Sequence, residues 1–163
     1  MKNLILLRHA KSSWKNPTLS DFDRPLNKQG IKNAPAMAEL LQQKNIPIHL
    51  ILSSSAKRTS ETTKTFVKVL DYKNEIFILD DLYLASSRTI LNKIHLVEEV
   101  YESILVVCHN PGITDVANYI GDIPIDNIPT TGFVGFSFDD KWKNLRENCC
   151  KVLFFEYPKK LKR

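Results

Sequence analysis

The chain has 163 residues, 43% of them hydrophobic and 25% charged, with a formal net charge of +5. That length suits one domain with a core of its own, and the balance of apolar and charged residues excludes a disordered or fibrous chain. The positive balance points toward anionic partners, but part of it lies in Lys159, Lys160, Lys162 and Arg163 at the end of the chain, so it does not argue for nucleic acid.

In chain order, short apolar runs at Leu4–Leu7, His49–Leu52, Ile76–Leu79 and Ile104–Cys108 have the length and character of strands. Helical patterns lie between them, over Lys28–Lys44, Lys57–Leu70, Arg88–Val100 and Pro111–Ile120. Strands alternating with helices predict an α/β three-layer sandwich, a mostly parallel central sheet with helices on both faces. Pro35 falls inside the first helical pattern, where it bends the helix or moves its start to near Asn33. After Gly121 two β-rich segments, Phe133–Phe138 and Lys151–Tyr157, flank a polar stretch over Asp139–Asn148 and are expected to pair as a hairpin or to extend the sheet edge. One domain is expected over residues 1–157, followed by a basic, solvated, disordered tail over 158–163.

The first apolar run is too short for the core of a signal peptide, and no run is long enough to span a membrane, so a cytoplasmic protein without a membrane partner is expected. Cys108, Cys149 and Cys150 lack the paired spacing of a zinc site or a disulfide framework and are read as reduced packing residues.

In an open parallel sheet, ligands bind beyond the carboxyl ends of the strands. The run LILL ends there on Arg8 and His9. The stretch LILSSSAKRTSET leaves its strand through Ser53–Ser55 and puts Arg58 in the first turn of the next helix, with Ser55 as the expected N-cap. ILVVCHNPG leaves its strand at His109, with Asn110 as the expected N-cap and Pro111 at the first helical position. Arginine forks, imidazoles and helix N-termini together describe an oxyanion pocket, most naturally one for phosphate. Within it a histidine can attack phosphorus through one ring nitrogen if the other donates to an acceptor, and His9 is assigned that role. His109 and the arginines would then hold the equatorial oxygens, with no metal or cofactor required. His49, at the start of a strand, and His95, among Ile90, Ile94 and Val97, are read as structural.

In these motifs the chain resembles the histidine phosphatase superfamily, the phosphoglycerate mutase-like fold, and within it the short SixA-type phosphohistidine phosphatase branch. The resemblance rests on RHAKS, DFDRPLNKQG, SSSAKRTSET and VVCHNPG and covers nearly the whole chain. It implies Arg8, His9, Arg58 and His109 as the catalytic quartet and adds Arg24 as a further residue of the phosphate pocket. TTGFVGF, residues 130–136, is similar to the family's late loop, from which Thr130 or Thr131 is expected to approach the substrate, Thr131 being the assigned residue.

The sequence departs from many members of that superfamily, mutases and acid phosphatases included, in lacking a recognisable acidic proton donor before the second histidine. Asp80 and Asp81 in ILDDLYLASS are read as a solvated strand end, and Tyr83 is the other candidate to line the site. An alkoxide needs a proton to leave, whereas imidazole, with a pKa of about 6.5, departs readily without one. The expected activity is therefore a phosphatase acting through a phosphohistidine intermediate, most naturally on protein phosphohistidine. The alternatives are a broad phosphomonoesterase acting on a small phosphorylated molecule and a noncatalytic phosphate-binding module. His9 argues against the last.

Overall fold

A computed structural model describes residues 1–161. Six strands, β1 Lys2–Arg8, β2 Leu50–Ser54, β3 Glu75–Leu79, β4 Ser103–Cys108, β5 Phe133–Phe138 and β6 Lys151–Glu156, form one sheet in the order β3-β2-β4-β1-β5-β6. The first four strands run parallel, β5 pairs antiparallel with β1, and β6 pairs antiparallel with β5 at the edge. Five helices accompany them: α1 Lys28–Gln43, α2 Lys57–Val69, α3 Ser87–His95, α4 Gly112–Ile120 and the single turn α5 Pro158–Leu161. The architecture is the expected α/β sandwich.

The all-apolar character of β1 follows from its central place, since Leu4, Ile5, Leu6 and Leu7 are all fully buried. Successive side chains enter opposite layers. Leu4 and Leu6 pack with Ile104, Val106, Ile113, Val116 and Ile120 on the side of α3 and α4. Ile5 and Leu7 pack with Met37, Leu41, Phe66 and Val107 on the side of α1 and α2. By contrast β3 is an edge strand, and its Ile76, Phe77 and Ile78 are partly exposed.

Several local expectations are corrected. Helix α1 begins at Lys28, not near Asn33, because the Asn27 side chain caps it by accepting from the Gly30 N–H at 2.8 Å. Pro35 lies within α1, and both it and Ile31 border an open groove between α1 and α2, a solvent-facing place where a lost helical bond costs least. Helix α3 stops at His95 instead of Val100, because Leu96 and Val100, which continue the apolar pattern, are 77% and 75% exposed. Neither Ser55 nor Asn110 is an N-cap: α2 is preceded by Ala56 and α4 by Pro111, without side-chain caps. The Asn110 side chain instead accepts from Thr114 Oγ1 and donates to the Ile128 carbonyl, tying α4 to the following loop.

Part of the tail is ordered. Lys160 Nζ donates to the Phe155 carbonyl and to Glu156 Oε1, which holds α5 against the end of β6, whereas Lys162 and Arg163 lie outside the described residues. His49 accepts from the Ser103 N–H, and His95 Nε2 bonds the Leu145 carbonyl, both away from the strand-end crevice. The cysteines are free thiols.

Two glycines matter for close approach, not for their dihedral angles, since no glycine has positive φ. A Cβ on Gly30 would lie 2.2 Å from the Lys11 carbonyl oxygen, and one on Gly112 would lie 2.0 Å from that of Ala85. The starts of α1 and α4 thus press directly on the loops that follow β1 and β3. Gly112→Ala should lower stability by about 1–3 kcal/mol through overpacking against backbone that cannot yield as a side chain would. Chemical denaturation measures this, and an unchanged midpoint would show that the Ala85 loop is free to move.

Candidate active site

Strands β1, β4 and β2 are neighbours in the sheet, and their carboxyl ends deliver His9, His109 and the start of α2 to one place. Arg8 pairs in register with Cys108, so the histidines that follow each are adjacent, with ring centroids 5.2 Å apart. The loop after β1 is pinned from several sides. The Thr131 N–H bonds both the Arg8 and His9 carbonyls, the His9 N–H bonds the Cys108 carbonyl, and the Ala10 N–H bonds Thr62 Oγ1 on α2.

An open cleft of about 680 Å³ occupies this end of the sheet, and Arg8, His9, Arg24, Arg58 and His109 all line it. The five side chains proposed from the sequence are thus brought together. Arg24 enters from the loop before α1, where its Nε donates to the Ser13 carbonyl and its terminal nitrogens to Asp21 Oδ1 and Ser12 Oγ. Arg8 Nη1 donates to the Ile128 carbonyl at 3.1 Å.

The two imidazoles differ in their contacts. His9 Nδ1 lies 2.8 Å from the Ala10 carbonyl, which can only accept, so Nδ1 carries the proton and Nε2 keeps its lone pair. Burial lowers the His9 pKa to about 4, with the positive fields of Arg58, Arg8 and Arg24 adding to it and the Ala10 bond opposing it. His109 Nε2 lies 2.7 Å from Ser54 Oγ. Its pKa falls to about 3, through burial first and then through His9 and Arg58. Both rings are neutral at ordinary pH. Among the described residues, His109 Nδ1 and Arg8 Nε are buried without a hydrogen-bond partner.

The remaining candidates fall differently. Thr130 lines the cleft, whereas Thr131 is buried beneath it, 1% exposed with a φ of 61°, and its N–H bridges the two carbonyls named above. Asp80 and Asp81 form a short 3-10 turn, and Asp81 pairs with Lys93 at the surface instead of reaching the cleft. Tyr83 stands edge-on to His109, with centroids 5.6 Å apart, and donates its hydroxyl to Asp21 Oδ2 at 2.5 Å.

Sequence reasoning missed Asp21. It accepts from Arg24, from both terminal nitrogens of Arg58 and from Tyr83. Its place three residues before Arg24 was visible in DFDRPL, but its contact with Arg58, 37 residues along the chain, was not. Trp14 was also missed. Its ring covers the Arg24 guanidinium at 3.3 Å while remaining 77% exposed at the cleft, which the exposed Leu84 also lines.

Among the described residues, no helix is long and apolar enough to cross a membrane, and no cluster of three or more His, Cys, Asp or Glu suits a metal ion.

Comparison with known proteins agrees with this geometry. The family described as "Histidine phosphatase superfamily (branch 1)" matches residues 4–83. A crystal structure from Agrobacterium tumefaciens, of a protein provisionally named phosphohistidine phosphatase SixA, is 30% identical, with a TM-score of 0.81 over 96% of this chain and 98% of that one. A protein histidine phosphatase SixA complexed with tungstate shares the fold, at a TM-score of 0.84 and 18% identity over 98% of this chain and 99% of its own. An uncharacterized chloroplast protein of Arabidopsis thaliana is 47% identical over 70 residues, which are 43% of this chain and 32% of that protein, so the match spans about a third of the relative's length. Two histidines and three arginines lining one cleft at the end of the sheet, with likeness to the Agrobacterium protein over nearly the whole of both chains, place this chain in the histidine phosphatase superfamily.

Proposed function

We propose that the protein hydrolyses phosphohistidine on proteins, with His9 as the nucleophile. The observation that carries this reading is the state of the His9 ring, neutral, with its Nδ1 proton committed to the Ala10 carbonyl and the Nε2 lone pair free, in a cleft lined by three arginines and a second imidazole. His9 Nε2 attacks phosphorus, the bond from phosphorus to the substrate's imidazole nitrogen breaks, and the released imidazole takes a proton from solvent. A water molecule then attacks phosphorus on His9, which releases inorganic phosphate and restores the ring. Arg8, Arg24, Arg58 and His109 hold the three equatorial oxygens while charge shifts between the two nitrogens. An oxyanion there would also supply acceptors for the orphaned Arg8 Nε and a partner for His109 Nδ1.

The substrate class follows from proton supply. Burial pulls the Asp21 carboxyl upward, but the hydrogen bonds from Tyr83, Arg24 and Arg58 outweigh it and hold the group well below the usual carboxylate range, so it has no proton to give. Tyr83 has its hydroxyl proton directed at Asp21, and burial together with that bond pushes its pKa up. Asp80 and Asp81 do not line the cleft. With no carboxyl or phenol among the described residues of the cleft placed to give a proton, the site favours a leaving group that departs unaided. The open mouth, with Trp14 and Leu84 exposed at its rim, admits a side chain carried on a protein surface.

His9→Ala should abolish turnover and the covalent phosphoenzyme, which in the parent protein is stable in base and labile in acid. Radiolabel transfer followed by acid and base treatment measures this, and undiminished hydrolysis by the variant would assign the attack to water. Across a leaving-group series, phosphoramidate and aryl phosphates should exceed alkyl phosphates by orders of magnitude in kcat/KM. Efficient alkyl-ester hydrolysis that collapses in Tyr83→Phe would instead establish Tyr83 as an acid and favour a phosphomonoesterase.

The lowered imidazole pKa values also set the sign of a pH effect. The unfolded chain takes up protons on both histidines as pH falls below about 6.5, while the folded site refuses them until about 4 or lower, so folded stability is complete above 6.5 and is lost between those values. Denaturation at a series of pH values should show that loss, reduced in His9→Gln. An identical pH dependence in the variant would mean that His9 titrates normally.

A further inference from the structure

We infer that Asp21 is a positioning residue for the proposed reaction: it fixes Arg58 and Arg24 against the phosphoryl group, and its charge limits how tightly free phosphate is held. The inference rests on that reading of the cleft as a phosphoryl site, and it concerns a side chain that does not itself line the cleft.

The geometry is specific. Arg58 Nη1 donates to the Asp21 main-chain carbonyl at 2.7 Å and Nη2 to Oδ2 at 3.0 Å, so one edge of the guanidinium is clamped by a single residue. Arg24 Nη1 donates to Oδ1 at 2.8 Å. Each terminal nitrogen carries two hydrogens, so each clamped nitrogen keeps a second N–H for an oxyanion. Arg58 and Arg24 are 3% and 7% exposed, whereas the Asp21 side chain is 40% exposed. The carboxylate therefore sits outside the pair, bridging two like charges that would otherwise repel. Tyr83, wedged between His109 and Phe22, donates to Oδ2 and holds that oxygen in turn.

Two effects follow, and they act differently on ground state and transition state. Orientation of the arginine forks matters most when charge redistributes over a planar phosphoryl group, so losing it penalises the transition state. The negative charge, by contrast, opposes a phosphate dianion in any geometry. With Asp21 the three arginines and one carboxylate sum to the charge that a dianion balances, and without it the pocket is left with an excess. A residue that merely supports the fold would weaken every anion together.

Asp21→Asn, which keeps the shape and removes the charge, separates these effects. Isothermal calorimetry compares inorganic phosphate with orthovanadate, which adopts the five-coordinate geometry on a nucleophile, and kcat is measured with phosphoramidate. The expected result is a Kd for phosphate that is unchanged or lower, a Kd for vanadate raised about tenfold or more, and kcat reduced to a similar degree. Asp21→Glu, with the charge retained and displaced, should weaken vanadate without tightening phosphate. A proportional weakening of both anions in Asp21→Asn, or vanadate affinity within about twofold of the parent, would overturn the inference. Failure of the parent protein to turn over phosphoramidate would strike the proposed function instead, since the comparison of the two anions needs no turnover.

Discussion

The in-register parallel pairing of β1 with β4 is the constraint on which the rest of the site depends. Arg8 lies opposite Cys108, and the next residue on each strand is a histidine, so this register puts the two imidazoles side by side at the sheet's end, their planes tilted by 54°. The apolar pattern does not fix it, because both faces of β1 are buried and a slip of one residue would still place aliphatic side chains in each layer. The hydrogen bonds beyond the last rung supply the missing specification. The His9 N–H bonds the Cys108 carbonyl, and the Thr131 N–H closes over the Arg8 and His9 carbonyls from the β5 side. Thr131 thus acts through its backbone, in a left-handed conformation that exposes its N–H to two acceptors at once.

Electrostatics then decide what that end of the sheet can do. Three guanidiniums converge on two imidazoles in a partly buried cleft, and among the described residues the only carboxylate paired with any of the three is that of Asp21. Burial first, and then the positive field of this cluster, keep both histidines neutral well below the ordinary imidazole pKa. Neutrality is what the proposed nucleophilic attack requires, and the arginine fields that add to it would also favour an oxyanion. An anion bound there would also stabilise the fold by mass action, since the unfolded chain offers no comparable site.

Precision in the loops comes from helix starts that press on their backbone. Gly30 at the start of α1 touches the Lys11 backbone, and Gly112 at the start of α4 touches the Ala85 backbone, so two helix starts serve as walls for the segments carrying His9 and Tyr83. Neither contact has room for a methyl group. Arg24 is fixed in a comparable way, with its three nitrogens bonded to Ser13, Asp21 and Ser12 and its plane under Trp14. A side chain of such length keeps one orientation only when it is held at several points, and here all of its holders come from residues 12–21.

By itself the sequence determined the alternation of strands and helices, the central place of Leu4–Leu7 and the convergence of Arg8, His9, Arg58 and His109, because burial on both faces and strand-end placement are written in local composition and spacing, whereas Arg24, in the loop before α1, was legible only through the family resemblance. Cap residues were not legible: the expected Ser55 and Asn110 do not bond their helix starts, while Asn27, which was not expected to, does, since any polar side chain can cap and tertiary partners decide whether it does. What only the tertiary structure decided was the strand order, the protonated nitrogen of His9, the backbone role of Thr131 and the bridge from Asp21 to Arg58. Each of these depends on which distant backbone or side-chain atom comes within hydrogen-bonding reach, and that is a property of the packed layers and not of any stretch of sequence.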